Sequence, residues 1–92
     1  MIPTNITRPH VLRAIAHIDR HGVEPGREAT RYELVHEERT YPPKYVVSLA
    51  NLYANGDMLP APSFSGGMET NHFLERRGFV VRAFGEAGKK AG

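Results

Sequence analysis

The stretch Arg39–Phe79, RTYPPKYVVSLANLYANGDMLPAPSFSGGMETNHFLERRGF, decides how this chain folds. Pro42 and Pro43 hold Tyr41 extended and preset a helix running from about Pro43 to Ala54, which Gly56 ends. Tyr45, Val46, Leu49, Leu52 and Tyr53, widened by Val47 and Ala50, make most of that helix apolar, as expected of a central one. Leu59 to Pro62 reads as a rigid extended link. A third helix is expected to start at Ser63 or Ser65, to carry Phe64, Met68, Phe73 and Leu74, and to stop at Gly78.

The two helix openings in this stretch are chemically odd. Lys44 lies in the first turn of its helix, where unpaired N–H groups and the positive end of the dipole disfavour a cation by a few tenths of a kcal/mol. An incoming phosphate reverses that sign. Ser65, Gly66 and Gly67 open the next helix, and residues without a Cβ let backbone N–H groups approach an anion closely. Each seat also has a plain structural reading. Lys44 could pair with a glutamate of the preceding acidic loop, and a tight bend before a helix needs glycine whatever its function.

Outward from this stretch, Thr7 is a plausible N-cap, Pro9 suits a first helical turn, and Val11, Leu12, Ile15 and Ile18 keep helical spacing up to Gly22. Val23 to Thr30 contains Pro25 and Gly26 and reads as a loop. Arg31 to His36 alternates around Tyr32, Leu34 and His36, and Glu37-Glu38 turns it back into Arg39 to Tyr41, although two glutamates suit a hairpin turn poorly. Phe79 to Phe84 reads as a last strand with Val81 inward. Gly85–Gly92 is expected to be disordered, or the start of a linker after a single domain spanning 1–84. The order α-β-β-α-α-β predicts an α+β domain, three helices packed on a small antiparallel sheet of about three strands.

The 92 residues are 40% hydrophobic and 24% charged, with no cysteine, so one soluble domain without disulfides or thiolate zinc is expected, in a reducing cytoplasm. No apolar run approaches the roughly 20 residues of a membrane span, and Met1 to Thr7 does not read as a signal peptide. The net charge of +2 is unevenly spread. The first 22 residues and those from Arg39 onward are basic, whereas 23–38 holds five glutamates against two arginines. A basic face beside an acidic edge would orient the domain on a polyanion, with weak and salt-sensitive binding.

His10, His17 and His21 share one side of the first helix, and His17 with His21 is an i, i+4 pair that could grip a metal. A metal site needs a third ligand, and none is assigned. With Arg13 and Arg20 the same side reads as a solvated basic face able to touch phosphates. Tyr41, in the bend before the prolines, is the tyrosine expected to be exposed for stacking on a base. No Walker motif, nucleophile with its base, or cofactor motif is present, so the chain is not read as an enzyme.

RYELVHEERTYPPKYVVSLA followed by FSGGMETNHFLERRGFVV resembles the N-terminal head domain of McrA-type, modification-dependent HNH restriction endonucleases. The shared positions are Arg31, Tyr32, Tyr41, Lys44, Phe64, Ser65, Gly66, Gly67, Gly78 and Phe79, of which Tyr32, Phe64, Gly78 and Phe79 are assigned to folding. The resemblance implies a targeting or DNA-contacting module ahead of a C-terminal nuclease domain in a longer chain, and no catalysis in this part. Double-stranded DNA, with or without a modified base, is the expected partner. Lys44, Arg39 and the N–H groups of Gly66 and Gly67 are expected to hold phosphates, Tyr41, Ser65 and Thr70 to lie nearest the bases, and Arg13 and Arg20 to add to the contact. The alternative is a protein-interaction or dimerisation module, which an exposed apolar patch around Val47, Leu52 and Met58 would favour.

Overall fold

The computed structural model describes residues 1–84. Helix α1 spans Arg8–His21, strands β1 and β2 Tyr32–His36 and Arg39–Tyr41, helix α2 Pro43–Asn55, helix α3 Met68–Arg76 and strand β3 Val80–Ala83, with a 3-10 turn at Ala61–Ser63. The expected α+β order is thus observed, and the expected tail lies outside the described residues.

Helix α1 starts where the Thr7 N–H donates to Nδ1 of His10 at 3.0 Å, so this histidine works as a cap. Val11, Ala14, Ile15 and Ile18 form its buried stripe. Leu12, expected in that stripe, is 36% exposed, because a helix turns it about 100° away from Val11 and past the edge of the contact. The stripe packs on α2, in which Tyr45 to Asn51 are all buried. Gly56, at φ 95°, ends α2 in a left-handed conformation, its N–H donating to the Leu52 carbonyl.

The sheet order is β2-β1-β3, antiparallel throughout. Leu34 stands opposite both Tyr41 and Val81, and these three point into the core. The hairpin turn between β1 and β2 holds Glu37 at φ 48° and Glu38 at φ 68°. Tight two-residue hairpins need that left-handed geometry to match the twist of their strands, and the side chains pay a steric cost of about 1 kcal/mol each.

One expectation changes, and one alternative loses its support. Helix α3 begins at Met68 and not at Ser63 or Ser65: Ser63 closes the 3-10 turn, Phe64 is extended, and Gly67 at φ 66°, ψ −127° is the N-cap. Val47 is completely buried, while Leu52 and Met58 pack against the core, so these three do not form the exposed apolar patch that would have favoured a docking module.

An arm before α1 completes the core. Ile2 and Ile6 are buried in it. Arg77 fastens this arm, donating from Nε to the Ile6 carbonyl at 2.7 Å and from Nη1 to the Phe73 carbonyl at 3.0 Å while stacking 3.5 Å from the Phe73 ring. Burial, and to a lesser degree the neighbouring Arg76, lower its pKa. Arg8 in turn donates to the Arg77 carbonyl and lies over Phe79. Its guanidinium comes within 2.7 Å of where a Cβ on Gly78 would stand, and Gly78 has φ 88°, so only glycine fits there.

Candidate nucleic-acid interface

The opening of α2 is built by two prolines. Pro42 caps the helix in an extended conformation and Pro43 is its first residue. Neither has an N–H, so Lys44 and Tyr45 supply the first donors, with no acidic residue or capping side chain beside them. The Lys44 stem is half-buried, and Nζ lies 5.0 Å from the centre of the Phe64 ring. Among the described residues Lys44 joins no ion pair, so the expected alternative of pairing with a loop glutamate is not seen.

The opening of α3 lies against it. Cδ of Lys44 is 3.8 Å from the position of a Cβ on Gly66, and the Tyr32 ring is 3.9 Å from that on Gly67. One anion donor here is already used, because the Ser65 N–H donates to Oε1 of Glu69 at 2.7 Å. The carboxylate therefore acts as the local counter-charge of the turn.

Both openings face a cleft of about 420 Å³. Its walls carry Lys44, Gly66, Gly67 and Thr70, together with Arg27, Glu28 and Arg31 from the loop before β1. Neither Arg27 nor Arg31 stands out in the sequence as a contact, because they belong to a segment whose glutamates dominate its charge. In three dimensions the loop separates them. Glu28 turns to the Gly26 N–H at 3.0 Å, whereas Arg27 stacks 5.2 Å from Tyr45 and donates to the buried Ser48 hydroxyl at 2.8 Å. Arg31 lies 5.6 Å from the Tyr32 ring. Asn71, also on the wall, has a buried amide oxygen with no hydrogen-bond partner among the described residues. Such an orphan acceptor costs about 1–3 kcal/mol.

Other expected contacts are elsewhere. Tyr41 is 5% exposed and not an open stacking platform: its ring enters the core and its hydroxyl donates to Asp19 at 2.7 Å. Burial first, then this hydrogen bond, pushes its pKa up to about 12. Thr70 is fully buried and donates to the Ser65 carbonyl at 2.6 Å, so it shapes the glycine turn from inside. Arg39 is exposed and meets the same Asp19 at 3.3 Å, away from the cleft. Ser65 remains at the surface. Arg13 and Arg20 line a second cleft of about 250 Å³ with Ala16, His17, His21 and Tyr53. Tyr53 lies nine residues after Lys44, half a rotation around α2, so the two clefts open on opposite sides of that helix. No group of three or more metal-ligating side chains forms among the described residues, and no helix there is long and apolar enough to cross a membrane.

Residues 4–83 match the family model for the ScoMcrA-like N-terminal head domain. Among solved structures, the chain is similar to the Type IV phosphorothioation-dependent restriction endonuclease ScoMcrA, with 34% sequence identity and a TM-score of 0.64. The match covers 87% of this chain and 13% of that one, so the chain spans a small part of the length of its relative. No curated protein matches it.

Proposed function

This chain belongs to the family of ScoMcrA-like N-terminal head domains, and from that membership we propose that it is a DNA-contacting targeting module of a modification-dependent restriction system. In this reading it serves a nuclease domain carried further along a longer cytoplasmic chain, with residues 1–84 as the module and 85–92 as the start of the linker. The module itself performs no catalysis.

One observation carries the reading: the openings of α2 and α3 meet in a single cleft, with Lys44 beside Gly66 and two more arginines on the wall. Lys44, Arg31 and the N–H groups of Gly66 and Gly67 hold backbone phosphates, and Arg27 adds its charge from a fixed position. Ser65 and Asn71 lie where a base edge would arrive. Arg39, Tyr41 and Thr70 support the frame around the cleft. Phosphate contacts position a protein and base contacts specify, so discrimination of a modification falls to the second group.

The test is fluorescence anisotropy with plain, phosphorothioate, cytosine-methylated and hydroxymethylated duplexes at two salt concentrations. Salt-dependent binding is expected at micromolar protein, with a loss of tenfold or more in Lys44→Glu, whose melting temperature should be equal to or slightly above that of the wild type. Lys44→Gln keeps the aliphatic packing on Phe64 and should lose affinity as well. Absence of salt-dependent binding to every duplex, or a dimer in scattering that ignores DNA, overturns the proposal in favour of a protein-docking module.

A further inference from the structure

The second cleft gathers positive charge without a counter-ion. Four of its six wall residues are basic, Arg13, His17, Arg20 and His21, all on one side of α1, and none is acidic. The His17 and His21 rings are 4.7 Å apart. From α2, Tyr53 faces them, its hydroxyl 3.1 Å from Nδ1 of His17, and Arg13 lies 5.5 Å from its ring. The nearest acid in sequence, Asp19, is directed to Arg39 and Tyr41 on the other side of the helix.

Helix chemistry explains only part of this. Basic side chains in a last turn complement the negative end of the dipole, which accounts for Arg20 and His21. It does not account for His17 and Arg13, one and two turns earlier. Like charges this close disfavour one another, and the pKa of His17 is indeed lowered, by burial first and then by His21 and Arg20.

We infer that this cleft is a second anion seat, for a tetrahedral oxyanion such as a phosphate group, which opens for binding when His17 is protonated. With His17 neutral and its Nδ1 bare, the Tyr53 O–H donates to that nitrogen. On protonation Nδ1 becomes the donor, so the phenolic hydrogen is released and can point to a bound anion. Protonation of His17 thus adds one charge and one free donor together. The anion in turn cancels the repulsion that opposes the proton, so proton and anion bind with positive coupling. The seat is separate from the cleft at Lys44, and its fate does not depend on the role given to that cleft.

The experiment follows the imidazole C–H signals of the 92-residue chain by NMR during titration with sodium sulfate, whose charge is constant through the histidine range, at ionic strength fixed with chloride. Sulfate should move the signals of His17 and His21 and raise the titration midpoint of His17, while His10, His36 and His72 act as internal controls. Binding should be about tenfold tighter near pH 5.5 than near pH 8. Arg13→Gln combined with Arg20→Gln, both on exposed side chains, should abolish the effect without unfolding the domain. Equal shifts at all five histidines, or an effect that survives the double substitution, overturns the inference. A duplex that moves the same two histidines in Lys44→Glu identifies the nucleic-acid backbone as the source of the anion, and a response to sulfate alone identifies a free oxyanion.

Discussion

The side chain of Lys44 runs past Gly66, with Cδ 3.8 Å from the place a β-carbon would occupy. A methyl group there meets only ordinary van der Waals contact, and Gly66 does not have positive φ. Gly66→Ala should therefore leave the melting temperature nearly unchanged while weakening DNA binding, because the methyl stands between the backbone N–H groups and an incoming phosphate. Gly67, at φ 66°, is different: alanine there should cost about 1–3 kcal/mol, visible in thermal denaturation.

Glu69 holds a negative charge at the turn that an anion would use, 2.7 Å from the Ser65 N–H. Glu69→Gln keeps a hydrogen-bond acceptor and removes the charge. Anisotropy should show affinity for duplex DNA rising severalfold, and denaturation should show a loss of about 0.5–1 kcal/mol from the weaker helix start. Unchanged affinity would mean that phosphate does not approach this turn.

The salt dependence can be given a size. If Lys44, Arg27 and Arg31 each neutralise one phosphate, the slope of log K against log salt on a duplex should be near −2.7, and affinity should fall roughly 40-fold between 50 and 200 mM salt. Loss of Lys44 should reduce that slope by about one. A slope near zero in the wild type would remove the phosphate contacts from the argument.

Tyr41 should titrate late, its midpoint pushed up to about 12 by burial and the Asp19 hydrogen bond. The folded state favours the protonated phenol, so its contribution is full below the ordinary tyrosine value of about 10 and is lost as pH rises towards 12. Spectrophotometric titration near 295 nm should show a delayed component near pH 12 that Tyr41→Phe lacks. His17 works in the opposite range. Its lowered pKa makes the unfolded chain bind the proton more readily, so stability should fall as pH drops below about 6.5.

Replacing Glu38 by glycine removes the steric cost of φ 68° in the hairpin turn. Glu38→Gly should stabilise the domain by about 0.5–1 kcal/mol despite the greater freedom of its unfolded chain, and chemical denaturation measures it.

Much of the fold was readable because its signals are local. The double proline fixed the start of α2, Gly56 and Gly78 marked helix ends, and alternation around Leu34 gave β1. What could not be read depended on contacts between distant residues. Phe64 and the Gly67 conformation delay α3 to Met68, although serines at 63 and 65 look like better caps. Tyr41 looks exposed beside two prolines, yet Asp19, on another element, gives its hydroxyl a partner and lets the ring go inside. The same limit applied to the cleft. Lys44 and the glycine turn each had a helix-end signature, whereas Arg27 and Arg31 were masked by glutamates whose directions only the loop conformation sets.

The two rings at the head of α2 also bear on how a ligand would be captured. Pro42 and Pro43 are both buried, so the first turn behind Lys44 has little backbone freedom left to surrender. Preorganisation of this kind means that occupancy should be governed by encounter and charge, with little delay for rearrangement, and that ordering Arg31 is the remaining entropic toll.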